Sequence, residues 1–350
     1  MSKLPMSKLR IGVIGAGAFG RRHIETIGHE PLCVVAAIAD PTAEAAAFGA
    51  QHGFAYYASY EAMLANAKLD AAIVATPNPM HVPAGLACAA HGVHMLIEKP
   101  IAETVEAARQ LSDAAEQAGV ALLVGHHRRY NPVIAKAREV VQGGRIGRLT
   151  AVTALWLLQK PASYFDIDWR VQREGGGPIL INLVHDIDDL RFICGEIASV
   201  QAMTANAARG FAVEDTAAIA MRFVDGALGT ITLSDAAAAP WSWEITSGEA
   251  PDYPQRPENC YLFAGTEGSL AVPKLELWRY AGETGWSAPL SCERLEVVPE
   301  DPQVQQLRHF CRVIRGEETP LITGLDATRT LAVTLAVREA AQSGRRIDLA

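Results

Sequence analysis

Two side chains of the 350-residue sequence stand out for the chemistry they can do. Lys99 lies between Glu98 and Pro100, directly after the apolar run His94 to Ile97. A lysine ammonium at a strand end can hydrogen-bond a substrate oxygen and stabilise charge as a hydroxyl loses its proton. Glu98 can hold it in place, and the Lys99–Pro100 bond is a candidate for the cis form. An ordinary surface lysine is the competing reading. His185 follows the triple glycine Gly175–Gly176–Gly177 on a helical pattern from Ile179 to about Ile193, with Asn182 three residues before it and Asp189 four after. At α-helical spacing these three share a face, and a histidine with an orienting amide or carboxylate suits acid–base work near neutral pH. A structural histidine bonded to its own helix is the alternative. The glycines allow a ligand or another backbone to come close.

A second constellation would hold a dinucleotide. Gly15, Gly17 and Gly20 fall in the segment RIGVIGAGAFG, after a short apolar run and before a helical one that includes Ala18 and Phe19. Strand, glycine turn and helix N-terminus in that order suit a diphosphate. The next apolar run, Cys33 to Ala39, ends at Asp40, 20 residues past Gly20. An acid there accepts hydrogen bonds from the adenosine ribose and repels a 2′-phosphate, so NAD is favoured over NADP.

Residues 10–125 alternate continuous apolar strands with helices, which predicts a parallel sheet covered on both faces, with ligands at the carboxyl ends of its strands. Those ends are Gly15–Gly20, Asp40, Thr76–His81 with Asn78, Glu98–Pro100, and Gly125–Tyr130 with Arg128. Arg128 and Tyr130 are therefore candidate substrate contacts. Trp169 and Arg170 read either as a stacking and anion contact near the cofactor, or as core and surface residues. From about Val200 the pattern turns antiparallel, with an Asp225–Gly226 hairpin, a long Pro- and Trp-rich stretch at 236–259 that suits a lid or an oligomer contact, and two closing helices. The fold class is α/β: a Rossmann domain at 8–125, then an α+β domain at 126–350 with a mostly antiparallel sheet.

The formal net charge is −8 and no basic run occurs, which argues against nucleic acid as a partner. No apolar run is long enough to span a membrane, and no signal-peptide core is seen near the N-terminus. Met1-Ser-Lys-Leu recurs at Met6 and is set aside from the fold argument. The six cysteines are scattered without a C-x-x-C pair, so a reducing cytoplasm is expected. No metal site is expected from His81, His126 and His127, because no carboxylates converge with them in sequence.

The ordered segments GAGAFG (15–20), AD (39–40), ATPNPMH (75–81), EKP (98–100), GHHRRYNP (125–132), WR (169–170) and GGGPILINLVHDID (175–188) make the chain resemble the Gfo/Idh/MocA oxidoreductases, over nearly its whole length. The resemblance implies a Rossmann domain, a second domain whose open sheet forms the interface of a dimer or tetramer, and NAD(P)-dependent interconversion of a secondary alcohol and a ketone on a sugar or polyol. It makes Lys99 the residue that contacts the reacting hydroxyl and His185 the acid/base. It sets Thr76, Asn78, His81 and Glu98 along the dinucleotide. The family helix usually carries an aspartate four residues before the histidine; here that position is Ile181, with Asn182 next to it. Two other readings stay open within the fold: glycoside cleavage assisted by tightly held NAD, and a non-catalytic ligand sensor.

Overall fold

The computed structural model describes residues 7–173 and 175–349, so the Met1 to Leu4 half of the N-terminal repeat lies outside the described residues. The chain divides into two compact units, residues 1–130 with 300–331 and residues 131–299 with 332–350.

The first unit begins with β1 (Leu9–Ile14), α1 (Ala18–His29), β2 (Cys33–Ala39), α2 (Ala43–His52), β3 (Tyr56–Tyr57) and α3 (Tyr60–Asn66). It continues with β4 (Ala71–Val74), α4 (His81–Ala90), β5 (His94–Ile97), α5 (Val105–Gln117) and β6 (Leu122–Val124). All six strands are parallel, in the order β3-β2-β1-β4-β5-β6. The central strands are apolar at every position because helices cover both faces; Ala71 to Val74 are wholly buried. Thr42, Ser59 and Thr104 cap α2, α3 and α5 through side-chain oxygens that accept backbone N–H bonds. Register aligns Ile14 with Ala39 and Val74, Val74 with Ile97, and Ile97 with Val124, so the carboxyl ends of five strands finish level along one edge.

The second unit contains α6 (Pro132–Gln142), β7 (Leu149–Leu157), a π-helical turn at Ile179–Leu183 that runs into α7 (Val184–Cys194), and β8 (Ile197–Ala205). Then come β9 (Thr216–Phe223), β10 (Leu228–Ser234), α8 (Trp243–Thr246), β11 (Tyr261–Gly265), β12 (Gly268–Val272), β13 (Glu276–Tyr280) and β14 (Leu290–Arg294). The chain closes with α9 (Pro302–Ile314), α10 (Gly324–Ser343) and β15 (Ile347–Asp348). The nine-stranded sheet has the order β14-β13-β12-β11-β7-β10-β9-β8-β15. It is antiparallel except between β7 and β10. Its core gathers Trp156, Phe223, Trp243, Tyr261 and Phe263 against α6, α7 and the end of α10. The 236–259 stretch is thus anchored by α8, with Trp243 buried and stacked on Tyr261 at 5.9 Å.

The division differs from the boundary expected at residue 125. Residues 300–331 return to the first unit because α9 has its own apolar face. Leu307, Phe310, Cys311 and Val313 join Ile11, Ile24, Ile27 and Cys33 in one buried cluster. Helix α10 changes unit along its length, at Leu331.

Candidate active site

In the first unit the level strand ends bring Gly15–Gly20, Asp40, Thr76, Glu98 and Lys99 to one edge of the sheet. The three glycines differ in what requires them. Gly15 has φ +91°, and a Cβ there would lie 2.6 Å from the Ala75 carbonyl oxygen. A Cβ on Gly20 would overlap the Gly15 carbonyl oxygen. Gly17 is different: a Cβ would meet nothing within 4 Å, and no side chain caps α1 at this position. No protein neighbour requires a glycine at 17; a ligand brought against the first turn of α1 would. Ala18 and Phe19, exposed in that turn, lie beside it. Thr76 Oγ1 is buried with no hydrogen-bond partner among the described residues, so it too can serve a ligand. These residues fit a dinucleotide.

Asp40 braces this loop. Its Oδ2 accepts the Ala16 N–H at 2.8 Å, and Oδ1 accepts the Thr42 N–H at 2.9 Å and hydroxyl at 2.6 Å. Burial opposes its ionisation, but the bonds from Thr42 and Ala16 and the nearby Arg21 guanidinium outweigh it and hold the carboxyl below its ordinary range. An ionised acid therefore stands at the end of β2.

The Lys99 segment is held from several sides. Glu98 Oε1 lies 2.7 Å from His23 Nε2, and Glu98 Oε2 accepts the Lys99 N–H at 3.2 Å. Burial works against the carboxylate, yet the His23 hydrogen bond and the charges of His23, Lys99 and His127 prevail and hold it at about 2. Gly125 leaves room for it: a Cβ there would sit 3.0 Å from Glu98 Oε2. The Lys99–Pro100 peptide is cis. His81 is buried, with Nδ1 2.8 Å from the Pro100 carbonyl and Nε2 2.9 Å from the Thr76 carbonyl. Burial lowers its pKa although both carbonyls pull it up. As a neutral imidazole His81 has one ring N–H to donate, so it bonds one of these two carbonyls while packing between the two strand ends. Asn78 is half-buried in a short 3₁₀ turn before α4. Arg128 is buried, and Tyr130 tilts against His309 with ring centroids 5.4 Å apart.

In the second unit, the glycines before His185 accommodate protein. Gly176 lies under the Arg170 carbonyl, and Gly177, at φ +85°, lies against Glu214. Glu214 Oε1 accepts the Ile179 N–H at 3.0 Å and so anchors the start of the π-helical turn. Burial raises its pKa in spite of that bond. Because 179–183 is π-helical, the three-residue offset from Asn182 to His185 does not carry the α-helical face inferred from sequence. Asn182 Oδ1 instead accepts a bond from Lys160 Nζ at 2.7 Å, and Asp189 Oδ2 accepts one from the Tyr261 hydroxyl at 3.2 Å. His185 is half-buried in the first turn of α7. Trp169 is largely exposed, and the Arg170 guanidinium lies 4.0 Å over the Tyr164 ring. Sequence reasoning missed Lys160. Its one signal is a lysine set between Trp156 and the Tyr164–Phe165 pair.

Among the described residues there is no cluster of three metal-ligating side chains, and no helix is long and apolar enough to cross a membrane.

The oxidoreductase family model with an NAD-binding Rossmann fold matches residues 9–126, and the GFO/IDH/MocA C-terminal domain model matches residues 134–271. The 1,5-anhydro-D-fructose reductase of Ensifer adhaerens is 30% identical over 97% of this chain and 98% of its own. The scyllo-inositol 2-dehydrogenase (NAD(+)) of Bacillus subtilis is 26% identical over 98% of this chain and 96% of its own. Among solved structures, the WlbA dehydrogenase of Bordetella pertussis, in complex with NADH and UDP-GlcNAcA, superposes with a TM-score of 0.80. It is 27% identical, covering 98% of this chain and 99% of that one. With both family models matched in order along the two units, the chain belongs to the Gfo/Idh/MocA family of NAD-binding oxidoreductases.

Proposed function

We propose that this protein is an NAD-dependent dehydrogenase that interconverts a secondary alcohol and a ketone on a sugar, polyol or related hydroxylated small molecule. The observation that carries the reading is the support around Lys99: an ionised Glu98 joined to His23 and to the Lys99 N–H, beside a glycine turn left open at Gly17. The relatives' activities on a sugar and an inositol agree with it.

In the oxidative direction the Lys99 ammonium donates a hydrogen bond to the reacting hydroxyl oxygen and stabilises its growing negative charge. His185 takes the hydroxyl proton. NAD, when bound, would supply the acceptor for the hydride leaving the carbinol carbon. The backbone N–H groups of Gly17, Ala18 and Phe19 at the start of α1 would hold the diphosphate, with Thr76, Asn78 and Glu98 along the remainder of the dinucleotide. Asp40, ionised at the end of β2, takes the ribose hydroxyls and disfavours a 2′-phosphate. Assembly into a dimer or tetramer through the open face of the nine-stranded sheet belongs to the same reading; exposed Leu228 and Leu262 suit it.

The test is a panel of sugars, polyols and hydroxy acids, offered to the purified protein with NAD or NADP while absorbance of the reduced cofactor is followed. Turnover with NAD on at least one secondary alcohol supports the reading. Cofactor binding without turnover on any member contradicts it.

A further inference from the structure

Lys160, just beyond β7, is 8% exposed. Its backbone is pinned, the N–H donating to the Asp235 carbonyl at 2.9 Å and the carbonyl accepting from Arg209 Nη2 at 3.0 Å. Its ammonium has three N–H donors. One goes to Asn182 Oδ1 at 2.7 Å. The Nζ also sits 4.2 Å from the Tyr164 ring centroid and 5.4 Å from that of Trp156. Asp235 Oδ2, at 3.9 Å, is beyond hydrogen-bond reach, and Asp235 Oδ1 already accepts from Arg209 Nε at 2.9 Å. Glu244 turns both carboxylate oxygens to Trp156 Nε1, at 3.2 and 3.0 Å. Among the described residues the buried ammonium thus has one oxygen within hydrogen-bond distance, that of the neutral Asn182 amide, and its carboxylate neighbour Asp235 stands farther off.

The lysine also fixes the polarity of Asn182. An ammonium can only donate, so the amide oxygen must face it, and the amide NH₂ is what Asn182 has left to offer. An aspartate would have offered acceptors. Arg170 adds another donor: its Nη1 donates to the Tyr164 carbonyl at 2.7 Å, while its Nε is buried with no partner among the described residues. Lys160 and Arg170 thus both lie against the Tyr164 ring. Lys160 and Arg170 Nε therefore bring cationic N–H donors to this ring.

We propose that Lys160 and the Asn182 amide, with Arg170 beside them, form a carboxylate-binding subsite, so that the substrate is a carbohydrate acid rather than a neutral polyol. The inference rests on the dehydrogenase reading for the term substrate, and on these contacts alone for the carboxylate. Burial, with Arg170 and Arg209 nearby, pulls the Lys160 ammonium down to about 8 against the opposing charges of Asp235 and Glu244. An arriving carboxylate would supply the direct charge-assisted hydrogen bond that neither Asp235 nor Glu244 makes to this ammonium.

The test uses calorimetric titration of the NADH-loaded protein with D-gluconate, D-glucuronate and D-galacturonate, and with D-glucose, D-galactose and myo-inositol as neutral counterparts. At least one acid should bind about tenfold or more tighter than its neutral counterpart, and Lys160→Met should remove about tenfold to a hundredfold of that acid's affinity, as for a lost charge-assisted hydrogen bond. Lys160→Gln keeps an N–H for Asn182 and should show the same loss of preference, which guards against a folding defect in the methionine variant. Equal binding of acids and neutral counterparts, or an acid preference that survives both substitutions, overturns the proposal. Parallel turnover assays separate the two claims. Lysine-dependent acid binding without turnover retains the subsite and removes the dehydrogenase reading. Turnover of neutral sugars indifferent to Lys160 does the reverse.

Discussion

Glu98 Oε1 and His23 Nε2 lie 2.7 Å apart, joining the end of β5 to the middle of α1, the helix that the glycine turn opens. The pair links the lysine segment to the dinucleotide segment inside one unit. Its electrostatics give a stability prediction. The folded carboxyl sits at about 2, below its ordinary value of 4.5, so its contribution is present above pH 4.5 and is lost as pH falls toward 2. That shift corresponds to a contribution on the order of 3 kcal/mol. Denaturant unfolding across this window should show Glu98→Gln losing less stability than wild type. Parallel pH curves would contradict the account.

The glycines of the turn should separate into folding and binding roles. Gly20→Ala forces a methyl into the Gly15 carbonyl and should destabilise the protein by about 1–3 kcal/mol or more. Gly17→Ala meets open space; it should cost under about 1 kcal/mol in stability while weakening NADH binding about tenfold or more. Thermal melts and fluorescence titration read the two effects. Equal stability losses in both variants would refute the division.

Asp40 should set cofactor choice. Asp40→Asn removes the charge and keeps an acceptor for only one of Ala16 and Thr42, so the NAD-over-NADP preference in kcat/KM should fall by about tenfold. An unchanged ratio would assign Asp40 to loop bracing alone.

The Lys160 subsite has a pH signature. The ammonium is protonated below about 8 and loses its charge above it, with Asp235, Glu244, Arg170, Arg209 and the Tyr164 ring as its neighbours. KM for a carboxylated substrate should rise as pH passes 8, approaching about tenfold per pH unit. KM for a neutral one should not share the step, and Lys160→Met should abolish it. A step that persists in the variant would belong to another group.

The first unit was legible because its strands are continuous apolar runs, each ending in polar residues. Ile11 to Ile14, Cys33 to Ala39 and Ala71 to Val74 state their burial in composition, and the glycine spacing and Asp40 follow from them. What was not legible depends on distant neighbours. The seat of His81 between two carbonyls needs Thr76 and Pro100 folded around it. The return of α9 to the first core depends on Phe310 and Cys311 finding Ile24 and Cys33, nearly 300 residues away. The π-helical turn has no compositional mark, so the sequence puts Asn182 at α-helical spacing from His185. Lys160 reads as a surface lysine until Trp156, Tyr164 and Asn182 close on it.

The central claim is that Lys99 serves the reacting hydroxyl while the glycine turn holds the cofactor. The most direct measurement is turnover and NADH affinity of Lys99→Met beside wild type, on whichever alcohol the panel selects. Turnover should fall by about a hundredfold or more, as for a lost donor to a developing oxyanion, with NADH affinity within about threefold. Near-normal turnover in the variant would contradict the account.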